Sequence, residues 1–181
     1  MDKTPGIRPR PTLWRQLDAA SRAAFPAATT AIILLVLSFP LGVPGQAEWQ
    51  PASALACVFF WSLFRPASMP PAVVFALGLL ADLLGLSPVG ASVLVLLIVH
   101  GLALRWRRTL VRQGFLIVWI AFVAVAAVAA VLQWALVCAL TVRLFSPAPA
   151  LFQWALTCGL YPVLTTVFTR AHRGLANPDQ A

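Results

Sequence analysis

Apolar positions along this chain run in long unbroken blocks, such as "AIILLVLSF" and "VWIAFVAVAAVAAVLQWALVCALTV", with no sustained alternation of polar and apolar residues. Six stretches contain no Asp, Glu, Lys or Arg: they lie between Arg22, Glu48, Arg65, Asp82 and Arg105, then between Arg112, Arg143 and Arg170, and measure 25, 16, 16, 22, 30 and 26 residues. A helix needs about 20 mostly apolar residues, with about 17 tolerated, to cross a hydrocarbon core roughly 30 Å thick. Four stretches meet that length and two fall just short. The strands of a membrane barrel would alternate over about ten residues, which these runs do not do. The pattern predicts an all-α integral membrane protein, a polytopic bundle of about six transmembrane helices. The spans fall near residues 25–43, 52–64, 70–86, 88–104, 114–142 and 150–169. The second and third are short and carry proline near their ends, so a tilted or re-entrant hairpin is the alternative there. The fifth is longer than a bilayer requires and must tilt, bend or protrude.

Composition strengthens this reading. Apolar residues make up 61% of the 181 and charged residues 10%, against roughly 25% charged in soluble domains. Both soluble globular and disordered classes are thereby excluded. Three segments are predicted: a basic N-terminal segment over 1–24, a six-helix domain over 25–170 and a short tail over 171–181. The first contains "TLWRQLDAASRAAF", in which Leu13, Leu17, Ala20 and Ala24 share a helical face and Thr12 can cap, as in an interfacial helix. A tail with incidental apolar residues is its rival reading. With six crossings, twelve of the thirteen basic residues lie on the side of the termini and only Arg143 on the other. The positive-inside rule then places both termini in the cytoplasm.

Candidate chemistry is sparse. Asp82 is the one acidic residue inside an apolar span, and a carboxylate at membrane depth is a functional candidate by default. It shares a helical face with Gly78 and Gly85, whose small size admits a neighbouring helix. The following "SPVG" offers Ser87 as a cap and Pro88 at the first helical position. Asp82 is therefore expected to accept hydrogen bonds from that turn and lock the third span to the fourth; a ligand or proton site and a partner contact are the alternatives. Arg143, on the same side, is the candidate ion-pair partner, whereas Arg65 lies at the opposite end.

"RWRRTLVR" gathers Arg105, Trp106, Arg107, Arg108 and Arg112 as lipid and topology anchors on the cytoplasmic face, or as a docking patch for a cytoplasmic partner. Nucleic acid is not an expected partner, because the net charge of +8 is spent at the membrane surface. His100, near the inner end of the fourth span, is expected either to face the membrane interface or to make a structural hydrogen bond, and not to act in catalysis. Cys57, Cys138 and Cys158 are odd in number and lie inside spans, which indicates packing residues without a disulfide framework. No ligand spacing for a metal and no nucleophile motif is present, so neither metal, cofactor nor enzymatic activity is expected. Gln133 and Trp134 in mid-span, with Tyr161 and Asp82, are the polar groups that a ligand cavity would use, or else interhelical contacts.

The block "FFWSLFRPASMPPAVVFALGLLADLLGLSPVG" (Phe59–Gly90) resembles the central block of the bacterial rod shape-determining MreD family. The features that match are Phe59, Phe60 and Trp61, the turn Arg65-Pro66 with Met69-Pro70, and Gly78, Asp82, Pro88 and Gly90. The motif covers about 32 residues; the rest agrees in length and hydropathy. The resemblance implies a non-enzymatic subunit of the cell-elongation complex in the bacterial inner membrane. Such a subunit binds MreC, is associated with MreB, RodA and a class B penicillin-binding transpeptidase, and supports lateral peptidoglycan synthesis and rod shape. It also implies an architecture similar to the substrate-binding subunits of energy-coupling factor transporters. These matching residues, together with Gly85 and Arg143 from the helical-face and ion-pair arguments above, are the structural or partner-interface candidates. The competing function is a membrane transport subunit that binds a small molecule or a lipid.

Overall fold

A computed structural model of the chain describes residues 13–39, 42, 45–85 and 88–176, with side chains over 24–170. Among them are six α-helices and no strand: α1 Leu13–Ser38, α2 Gln46–Phe64, α3 Pro71–Leu84, α4 Ala91–Leu110, α5 Phe115–Thr141 and α6 Ala148–Ala176, with a short 3-10 turn at Pro66–Ser68 between α2 and α3. The all-helical class is as the apolar runs predict. Two helices, α5 and the Ala148–Arg170 part of α6, are long and apolar enough to cross a membrane.

Helix α2 is the axis of the bundle. It packs on α1, α3, α4 and α6, and every residue from Ala52 to Leu63 is buried. A helix that is apolar on all sides has no solvent face to offer and is stable only when surrounded. Its first half (Ala52, Ser53, Ala54, Ala56, Cys57) is small, so neighbours approach closely. Its second half is aromatic and fills the wider space. Phe59 lies 5.1 Å from Phe122 and 5.9 Å from Tyr161, ring centre to ring centre, and Trp61 meets Phe25 edge-on and Phe168 at 5.0 Å. Tyr161 stacks on Phe122 at 4.1 Å. Such contacts add about 0.5–1.5 kcal/mol each beyond buried area.

Polar side chains stitch the helices at several levels. Ser62 Oγ of α2 lies 2.7 Å from His100 Nδ1 of α4, so His100 takes the hydrogen-bonded of its two expected roles. Trp119 Nε1 of α5 donates to the Cys158 carbonyl of α6, and Trp154 Nε1 of α6 donates back to the Val123 carbonyl. Outside this core the surface is apolar: Ile32, Leu83, Ile98, Leu116 and Val163 are exposed on α1, α3, α4, α5 and α6. Contiguous exposed apolar area of this kind marks a contact with lipid or with another protein.

Several boundaries differ from expectation. The division at residue 24 falls inside α1, which runs unbroken through Pro26. The hydroxyls of Thr29 and Thr30 donate to the Phe25 and Pro26 carbonyls there. Thr12, the suggested cap, lies outside the described residues, as do residues 177–181 of the predicted tail; α6 itself continues to Ala176. Helix α2 begins at Gln46, six residues before the predicted span, because helicity extends through the polar "QAEWQ" that hydropathy assigns to a loop.

Helices α3 and α4 share the most extensive contact in the bundle, and Gly78 makes it possible. A Cβ added to Gly78 would lie 2.6 Å from the Val93 Cα, whereas one added to Gly101 on the same α4 would meet nothing within 4 Å. Gly78→Ala should therefore cost about 1–3 kcal/mol through overpacking, and Gly101→Ala should be neutral or slightly stabilising through helix propensity. Unfolding of the two variants in mixed detergent micelles checks this contrast.

Candidate functional site

The α3–α4 junction is built around one carboxylate. Asp82, 2% exposed in the last turn of α3, accepts the Gly90 N–H at 2.7 Å through one oxygen and the Ser92 N–H at 3.0 Å through the other. Helix N-termini carry unpaired N–H groups and the positive end of the dipole. A carboxylate there makes charge-assisted bonds, stronger than those between neutral groups. Asp82 thus caps α4 from the neighbouring helix. Gly90, the residue preceding α4, has φ +100, a backbone conformation open to glycine and strained for other residues. The lock expected of Asp82 is present in this geometry.

Two expectations about this corner need correction. Helix α4 starts at Ala91 after Gly90, not at Pro88, which lies in the preceding turn; a cap from α3 makes a local serine cap unnecessary, and Ser87 lies outside the described residues. Among the described residues there is also no Asp82–Arg143 ion pair. The Asp82 oxygens are taken by Gly90 and Ser92, while Arg143 is exposed beyond the end of α5.

The remaining candidates separate by place. Phe59, Phe60, Trp61 and Met69 are core residues. Pro66 opens the 3-10 turn, Pro70 precedes α3 with extended backbone, and Gly85 ends α3. Arg65 is half-buried at the end of α2. Arg105, Trp106, Arg108 and Arg112 are exposed at the far end of the bundle, as surface anchors must be, but Arg107 is half-buried and its Nε donates to the Leu63 carbonyl at 2.9 Å. A cation at a helix C-terminus satisfies an orphan carbonyl and the negative dipole end, so Arg107 ties α4 to the end of α2.

Near the Asp82 lock the bundle opens into a cavity of about 300 Å³, at the small end of the roughly 300–1,000 Å³ range of small-molecule sites. Its walls come from five helices and the α5–α6 link: Glu48 and Gln50 of α2, Ala81 of α3, Ser92 of α4, Gln133 and Trp134 of α5, Phe145 of the link and Gln153 of α6. Three carboxamides converge there. Gln133 Nε2 lies 3.4 Å from Ser92 Oγ, a long hydrogen bond; Gln50 is 7% exposed and its Nε2 has no partner. Trp134 has already donated its N–H to the Phe145 carbonyl, which leaves its ring as an apolar wall. Beneath the cavity a void of about 10 Å³ between Leu55, Val95 and Leu96 closes the floor.

Of the four cavity candidates the sequence offers, Gln133 and Trp134 do meet here. Tyr161 is stacked in the core, and Asp82 is committed to α4. Sequence reasoning missed Glu48, Gln50 and Gln153. Their signal was polar residues at the ends of apolar runs, Glu48 and Gln50 before the second and Gln153 near the start of the sixth, which hydropathy reads as span edges.

No family model, curated protein or solved structure matches the chain.

Removing the Asp82 carboxylate strands the buried N–H of Ser92, at a cost of about 1–3 kcal/mol, and takes the charge-assisted partner from the N–H of the exposed Gly90. Asp82→Ala should lower stability by about 2–4 kcal/mol on that basis, and Asp82→Asn, which keeps one acceptor, by clearly less. Amide exchange at Gly90 and Ser92 should rise in both variants, which separates loss of the cap from general unfolding.

Proposed function

We propose that the chain is a non-enzymatic membrane subunit of the MreD type that binds MreC in the cell-elongation complex. In this reading it crosses the bacterial inner membrane six times with both termini cytoplasmic. MreB, RodA and a class B penicillin-binding transpeptidase belong to the same complex, whose product is lateral wall and rod shape. The carrying observation is the Phe59–Gly90 block. Its residues act together as one structural unit: the aromatic run fills the core, the proline turn leads into α3, Gly78 admits α4 and Asp82 caps it. Six crossings are supported by the apolar exposed faces of α1, α3 and α4 as well as α5 and α6, and sidedness by the arginines gathered at one end. A membrane partner selects such a bundle by close packing on these faces and a few polar contacts.

A second reading, a ligand-binding transport subunit, draws its support from the cavity with its unpartnered Gln50 amide.

Affinity-tagged MreC, co-expressed and extracted in detergent, should retain the chain at fixed stoichiometry. Gly78→Leu should reduce recovery several-fold while Cys57→Ala leaves it unchanged; equal recovery of the two variants argues against the scaffold reading. Depletion should turn rod-shaped cells round, and reporter fusions at both termini should report cytoplasm. A periplasmic terminus overturns the topology.

A further inference from the structure

The cavity lies beside a second, wholly apolar hollow of about 350 Å³ on the outside of the α5–α6 pair, lined by Ala127, Ala130, Val131, Leu151 and Trp154 among others. The two share Trp134 and Ala150. One side of the Trp134 neighbourhood is therefore rich in carboxamides and the other has no polar lining. The helices that frame the apolar side are the two long and apolar enough to cross a membrane, so this hollow opens where a lipid chain would run.

The chemistry of the polar side narrows the headgroup. Gln50, Gln133 and Gln153 each carry two donors and an acceptor oxygen, and Gln50 Nε2 is buried with no partner. A buried amide without a bond costs about 1–3 kcal/mol, which a ligand acceptor would recover. Among the described lining residues the one charged group is Glu48; with no cation to answer it, a phosphate would be repelled. Hydroxyls, which donate and accept, fit three carboxamides and one carboxylate, and the Trp134 ring offers the flat apolar wall against which the C–H face of a sugar packs.

We propose that this paired cavity binds an uncharged, hydroxyl-rich headgroup, with the apolar chain of the same molecule lying along α5 and α6. A glycolipid supplies both parts, and a free sugar supplies the first alone. The proposal deepens the ligand-binding reading and stands whether or not the chain also binds MreC.

The full chain is placed in nanodiscs of phosphatidylethanolamine and phosphatidylglycerol doped with equal amounts of monoglucosyl diacylglycerol and diacylglycerol, and bound lipid is read by native mass spectrometry. One glucosyl lipid should be retained in preference to diacylglycerol and phosphatidylglycerol. Gln50→Leu should reduce that preference about tenfold, as the loss of one well-made buried hydrogen bond would. Val131→Trp, a change at an exposed position outside the core, should block the chain site and lower glucosyl lipid retention without unfolding the bundle. Competition by methyl β-D-glucoside shows that the headgroup alone suffices, and its failure to compete assigns the site to the intact lipid; both support the proposal provided the glucosyl preference is seen. Equal retention of all the lipids, or a preference untouched by both variants, overturns it and leaves water as the partner of Gln50. MreC co-purification is scored separately, so failure here is distinguishable from failure of the scaffold reading.

Discussion

One carboxylate and one missing side chain set the geometry of this bundle. Asp82 accepts the first free N–H groups at the start of α4, and four residues away, on the same face, Gly78 lets Val93 come within backbone contact. Each depends on the other. Without the glycine the helices stand too far apart for the carboxylate to reach; without the carboxylate the close approach would leave the buried Ser92 N–H unpaired. A short helix of 14 residues has little area with which to hold its place, and this pairing of close packing with a charged cap is how α3 is fixed.

The same corner organises its surroundings. Ser92 gives its N–H to Asp82 and accepts Gln133 at its hydroxyl, so α3, α4 and α5 are joined through a single residue. At the opposite end Arg107 performs the complementary task by donating to the last turn of α2. Anion at a helix start and cation at a helix end are the two pairings that the backbone dipole favours. They stand at opposite ends of α4, which enters next to Asp82 and leaves next to Leu63.

Much of this is legible in the sequence. Helix number and approximate position follow from the charge-free runs, because a helical stretch surrounded by apolar groups tolerates unpaired charge poorly. The i, i+4 relation of Gly78 and Asp82 pointed to the α3–α4 contact because both the helical period and the need for small residues at close crossings are local rules. Failures arose where a partner is remote in sequence. Ser-Pro looks like a helix start, yet the cap comes from eight and ten residues upstream. Asp82 and Arg143 are opposite charges on one side, yet backbone donors reached the carboxylate first. Arg107 was indistinguishable from Arg105 and Arg108 in a basic run, since only the position of the α2 terminus separates a capping arginine from exposed ones.

The cavity was hardest to foresee, for a reason that also gives it weight. Hydropathy averages over a helix and treats a glutamine near its end as a boundary, as at Gln50 and Gln153, while Gln133 stands in mid-span; the three come from different helices and become one chemical surface only when those helices pack. The void beneath, bordered by Leu55, Val95, Leu96, Gln133 and Gln153, has space for about one water. At the level of the cavity the chain places three amides, and the Gln50 Nε2 remains without a partner. Leucine at these three positions would fill the space without the desolvation cost. A hollow lined by three amides in a bundle whose core is largely apolar is thus a departure from what stability alone would select, and departures of that kind are where function is to be sought.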